Sequence, residues 1–212
     1  MTKIMIVVFN LIFALPMVQP GAASADTPGI GGGGDGGPNV IQGDRDACWS
    51  EPPDLNGFIG SAEQTLMYGL ESEIANDFVV SGSVITRASW GWGWYDESVC
   101  GMHPATPGFN LRFYEAGDCL PGALFADLSI TNYTEEFLRC RSEHGVNDMY
   151  KATTDIAVAV TPGQIYWCGV QVKDHSFPPQ AGRLSTGEIT GCESAFKSAY
   201  FGFPDWVPTI EV

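Results

Sequence analysis

The sequence predicts an all-β fold: a two-sheet antiparallel β-sandwich of jelly-roll-like form, stabilised by disulfides. Three observations predict it. From Cys48 onward, short apolar or alternating runs are separated by turn signals, as in sandwiches and barrels. Tryptophans occupy every second position of Trp90-Gly91-Trp92-Gly93-Trp94, and period two puts all three on one face of a strand. Six cysteines (Cys48, Cys100, Cys119, Cys140, Cys168 and Cys192) form an even set in a chain whose start reads as an export signal.

That signal is read over residues 1–25. Lys3 supplies positive charge, residues 4–18 are apolar apart from breaks at Asn10 and Pro16, and Ala23-Ser24-Ala25 makes a small-residue cleavage site. The apolar run falls short of the about 20 residues of a membrane span, so no transmembrane segment is expected once it is removed. A secreted, periplasmic or cell-surface location follows. Residues 26–47 read as a Gly-rich disordered leader, too poor in apolar side chains to fold. Its glycine run lacks the following Lys and Ser or Thr of a phosphate loop.

Residues 48–212 read as one sandwich domain. Strands are expected near 57–59, 77–80, 84–94, 109–115, 124–130, 136–141, 150–160, 164–172 and 196–201, with 206–212 as a final strand. Turns are expected at Ser81-Gly82, Thr106-Pro107-Gly108, Leu120-Pro121-Gly122 and Thr161-Pro162-Gly163, where proline presets φ and glycine accepts positive φ. Residues 61–75 hold no 3.6-residue period for long and allow at most one short helix. Alternation in 156–160 and 165–172 marks central strands. Six cysteines permit 15 complete pairings. Hairpin logic suggests Cys119 with Cys140 and Cys168 with Cys192, leaving Cys48 with Cys100.

Ten Lys and Arg stand against 25 Asp and Glu, a formal net charge of −15. Such a surface repels phosphate backbones, so no nucleic-acid partner is expected.

Several segments follow one another in a familiar order: Asn76-Asp77-Phe78-Val79-Val80, the tryptophan strand, Phe109-Asn110-Leu111-Arg112-Phe113-Tyr114, Leu120-Pro121-Gly122-Ala123-Leu124 and Pro162-Gly163-Gln164-Ile165-Tyr166-Trp167. Together they resemble the uncharacterised jelly-roll β-sandwich domains of exported bacterial proteins, often found near surface-anchoring signals. The resemblance implies a non-catalytic module of carbohydrate-binding-like or galactose-binding-like architecture.

Aromatic faces stack on sugar rings, so the end of the tryptophan strand (Trp94, Tyr95, Asp96 and Glu97) is the candidate ligand site, while Trp90 and Trp92 read as core. Loop oxygens at Asp44, Asp46, Asp77, Asp96, Glu97 and Asp205 would suit a structural calcium, though no D-x-[DN]-x-[DN]-G loop is present and no other cofactor is expected. Cys100 with His103 and Cys140 with His144 make a zinc-like ligand set, which an oxidising compartment disfavours. Hydrolase motifs are missing: there is no G-x-S-x-G or H-E-x-x-H, and the adjacent Asp174-His175-Ser176 cannot form a relay. Asn132-Tyr133-Thr134 is a glycosylation sequon whose ordinary reading is a turn. The expected function is a secreted, non-catalytic module binding a glycan or a matrix or surface component. A secreted carbohydrate-active hydrolase and a purely structural spacer or assembly domain are the alternatives.

Overall fold

In a computed structural model, residues 36–212 form one compact unit. The structure describes residues 39–42, 48–51, 59–65, 69–96, 101, 106–141, 146–175, 180–184 and 191–209. In chain order the strands are β1 (Asn39–Gln42), β2 (Cys48–Glu51), β3 (Ile59–Ser61), β4 (Glu63–Thr65), β5 (Glu73–Val79), β6 (Val84–Asp96), β7 (Phe109–Ala116), β8 (Pro121–Ile130), β9 (Thr134–Arg141), β10 (Val146–Ala159), β11 (Ile165–His175), β12 (Gln180–Leu184), β13 (Ala195–Ser198) and β14 (Phe203–Pro208). Among the described residues there is no helix, and so none long and apolar enough to cross a membrane.

Two sheets result. The first runs β2-β1-β6-β10-β9, with β12 on β6 and β3 on β12; the second runs β14-β13-β5-β11-β7-β8, with β4 on β11. All pairings are antiparallel except β4 with β11. Each sheet is built on one long strand. β6 pairs with β10 along one side, while β1 and β12 share the other; β11 pairs with β7 along one side, while β5 and β4 share the other.

The inner faces close on one core. Trp90, Trp92, Trp94, Tyr150 and Ala152 of the first sheet meet Phe78, Phe109, Leu111, Phe113, Tyr166, Val170 and Val172 of the second. Phe109 joins the layers by presenting its ring edge-on to Trp90 at 4.8 Å and to Trp92 at 5.2 Å, while Tyr150 stacks on Trp92 at 5.2 Å. The period-two tryptophans therefore form one buried face, as sandwich strands do. β11 is buried on both faces: Tyr166, Cys168, Val170 and Val172 point into this core, and Trp167 packs on the other side with Ala75, Tyr114, Ala195 and Trp206.

β1 falls within the stretch read as a leader and pairs with β6 at Ile41 and Gln42. The segment allowed at most one short helix holds β4, an isolated Gln64–Glu71 bridge and the start of β5, because sheet pairing decides where no helical period does. Two expectations need correction. The β7–β8 turn falls one step early, at 117–120. There Cys119 takes φ 53° and Gly117 N–H donates to Leu120 O at 2.8 Å, while Pro121 opens β8, a place where its missing N–H costs nothing.

The second correction concerns cysteines. Cys119 is bonded to Cys192, across 73 residues, and Cys168 is a buried free thiol. Cys140 is disulfide-bonded as well, so it is also no zinc ligand. The sheet itself forbids a Cys168–Cys192 bond. Cys168 points into the inter-sheet core, whereas Cys192 packs on the opposite face beside Trp167 and Tyr114. Hairpin logic also fails for Cys119 and Cys140, which stand in different sheets or their turns. The suggested Cys48–Cys100 bond lies outside the described side chains.

Candidate functional site

The expected site is placed as follows. Trp94 is 0% exposed, with its ring edge-on to Trp92 at 5.5 Å, so neither of its faces is open to a ligand. Tyr95, the next residue along β6, is half-buried opposite Asn147 of β10 and Gln180 of β12. Asp96 ends the strand opposite Val146; its side chain, and Glu97 altogether, lie outside the described residues. The three tryptophans are core. Of the oxygen ligands considered for calcium, Asp77 is buried and accepts the Cys192 N–H at 3.1 Å, and Asp205 is exposed on β14. The side chains of Asp44 and Asp46, like those of Asp96 and Glu97, are not among those described. No group of three or more His, Cys, Asp or Glu positioned to hold a metal occurs among the described residues.

Two arrangements that no motif announced are present. The first lies on the outer face of the second sheet, where Glu73 of β5 reaches across β11. It can do so because Gly169 leaves a gap: a Cβ there would run into the Glu73 carboxylate. Oε1 of Glu73 accepts the Tyr114 hydroxyl at 2.8 Å, and Oε2 accepts Arg112 Nη1 at 2.9 Å. Arg112 Nε also donates to Asp127 at 3.3 Å. Burial, then the Glu73 charge, pushes the Tyr114 phenol far above its ordinary value. Burial alone would lower Arg112, but Glu73 and Asp127 outweigh it and raise it. Both oxygens of Glu73 are thus engaged, one by the buried Tyr114 hydroxyl and one by the half-buried Arg112 guanidinium, which is the geometry of a satisfied structural carboxylate. Glu63 is similarly engaged: it accepts Ser61 Oγ at 3.2 Å and Ala181 N–H at 2.9 Å.

The second arrangement is an open groove of about 570 Å³ where β6 and β10 meet the β8–β9 connection. Its walls carry Arg87, Ser129, Thr131, Asn132, Tyr133, Thr134, Thr153, Thr154 and Asp155. Arg87 Nε pairs with Asp155 Oδ1 at 2.9 Å, both side chains being exposed. The hydroxyl of Thr154 donates to the Asn132 carbonyl at 2.8 Å and so holds the loop against β10. Tyr133 turns its ring edge-on to core Phe109 at 5.1 Å and donates its hydroxyl to Thr106 O at 3.3 Å. Burial, then Glu135, raises its phenol. The sequon residues Asn132 and Thr134 are both exposed at this groove.

Sequence reasoning located the Asn132 turn but not the groove, because Arg87 and Asp155 meet only through β6–β10 pairing. The chain matches no family model, no curated protein and no solved structure.

Proposed function

We propose that the protein is an exported, non-catalytic sandwich module that binds a neutral glycan in the groove beside the β8–β9 loop. The observation that carries this reading is the groove's chemistry. An exposed guanidinium and carboxylate, already neutralising each other, stand among several hydroxyls and an amide, with an aromatic ring at the wall. This set offers donors and acceptors together with little net charge, which suits a polyhydroxylated neutral ligand better than an ion. The volume lies within the range of small-ligand sites, about 300–1,000 Å³. The export-like start and the resemblance to exported jelly-roll domains support the same reading. The engaged state of Glu73 and Glu63 favours a binding role over a hydrolytic one.

A glycan array followed by titration calorimetry tests the proposal. A retained oligosaccharide should lose roughly tenfold in affinity with Arg87→Ala or Asp155→Ala, the loss of about one charge-assisted hydrogen bond. Both side chains are exposed, so the variants should keep the wild-type melting temperature. An array with no retained glycan, or binding indifferent to both substitutions, overturns it.

A further inference from the structure

We propose that one end of the sandwich, where β5 passes to β6 and β10 to β11, is a lipid-interface surface that dips into the headgroup layer of a phospholipid bilayer. Of the eight large hydrophobic side chains exposed among the described residues, five lie there: Val79, Val84, Leu124, Phe125 and Ile165, each 38–50% exposed. They adjoin one another. Val79 and Ile165 are paired across β5 and β11, Val84 opens β6 opposite Ala159 of β10, and Phe125 of β8 sets its ring 5.3 Å from that of Tyr166. Two hydrogen bonds tie the connections: Val160 N–H donates to Ser83 O at 2.9 Å, and Gly163 N–H to Val80 O at 2.8 Å.

This end is free of charge on an otherwise acidic chain: residues 78–86, 120–126 and 156–172 contain no Asp, Glu, Lys, Arg or His. Its tips, 81–83 and 161–164, are polar but uncharged, which suits a headgroup layer. Arg87 and Asp155 on the first sheet, with Glu115, Asp118 and Asp127 on or beside the second, are exposed charges at its border, and they stop insertion there because charge resists leaving water. The placing of the apolar side chains selects the occupant. Phe78 and Tyr166 point into the core, so Val79 and Ile165, their neighbours in sequence, stand on the outer face of the second sheet; Leu124 joins them there opposite Tyr114. Ile85 and Val158 point inward as well, so Val84 stands on the outer face of the first sheet. Both outer faces of one end are therefore apolar. A protein resting on either would meet at most three of these side chains, against about 20–30 residues a side in a specific interface. A bilayer interface closes around an inserted end from all sides and buries both faces at once.

Cosedimentation with phosphatidylcholine vesicles tests this, and since the vesicles hold no glycan the outcome is independent of the groove. The wild-type chain should bind reversibly, with a constant of about 10⁴ M⁻¹, that of a single myristoyl chain. Val84→Glu and Ile165→Glu, on opposite faces, should each weaken binding about tenfold, whereas Val84→Trp and Ile165→Trp should each strengthen it, a gain that misfolding cannot imitate. Adding anionic phosphatidylserine should weaken binding, because the net charge of −15 is repelled by it. A wild-type chain left in the supernatant at about 1 mM lipid overturns the proposal. So does binding that responds to substitution on one face only, as a flat protein contact would, or binding that strengthens with anionic lipid. A vesicle-free dimer that Val84→Glu or Ile165→Glu dissolves would give this end to a second copy and overturn it too.

Discussion

Gly169 is where the second sheet makes room for a charge. In register it lies between Ala75 of β5 and Arg112 of β7, and its missing side chain lets Glu73 lie across β11 to reach Arg112 and Tyr114. Gly169→Ala should therefore push the carboxylate off its two donors and leave buried polar groups unsatisfied, at a cost of about 3 kcal/mol in chemical denaturation. A loss below about 0.5 kcal/mol, the range of ordinary surface substitutions, would mean that the cluster reforms without this gap. Nothing in the sequence marks this arrangement, since Glu73 lies 39 residues before Arg112 and 41 before Tyr114 and meets them only through strand order. The tryptophans were easier to read, because period two already placed them on one face. What the period could not supply was the identity of whatever faces them. A sugar platform and a core strand share the same spacing, and Phe109 and Tyr150 decide between them.

Strands were legible where alternation was strong and turns carried proline and glycine. β6, β7, β9, β10 and β11 fall on the expected segments, and the Thr161-Pro162-Gly163 turn forms as expected, with Gly163 at φ 78° and Gln164 N–H donating to Thr161 O at 3.3 Å. Short strands with buried polar residues, such as β4, were illegible because their partners are far away. Cysteine pairing failed for a related reason: spacing says nothing about which face of a sheet a thiol occupies. The Cys119–Cys192 bond ties the β7–β8 turn to the segment entering β13, which the Asp77 carboxylate also holds. Replacing both cysteines with alanine should cost roughly 4 kcal/mol for a loop of this length. A melting temperature unchanged in the double variant would show that Asp77 and the packing around Trp167 hold the segment alone.

At the scale of the whole molecule, the perturbed groups act in one direction. Burial pushes the Cys168 thiol up to about 12, and burial with Asp148 and Glu135 pushes the Tyr150 phenol up to about 12; Tyr114 and Tyr133 are raised too. In the unfolded chain thiols titrate near about 8.5 and phenols near about 10, so above those values the unfolded state loses protons that the fold retains. Stability from these groups is therefore full below about pH 8.5 and declines as pH rises towards 12, by at most about 1.4 kcal/mol per pH unit for Cys168. Denaturation curves between pH 7 and 11 should show the decline. Cys168→Ala should remove the part that begins below about pH 10, before the tyrosines contribute. A flat profile to pH 11 contradicts the account.

The inward orientation of Cys168 also bears on the order of events during maturation. A thiol attacks a disulfide only as an accessible thiolate, and the closed sandwich denies Cys168 both access and ionisation. Before closure it competes on equal terms with five other cysteines; afterwards it is withdrawn from exchange. A chain that folds first and oxidises second would keep Cys168 out of every bridge, and a chain oxidised while open would have no such protection.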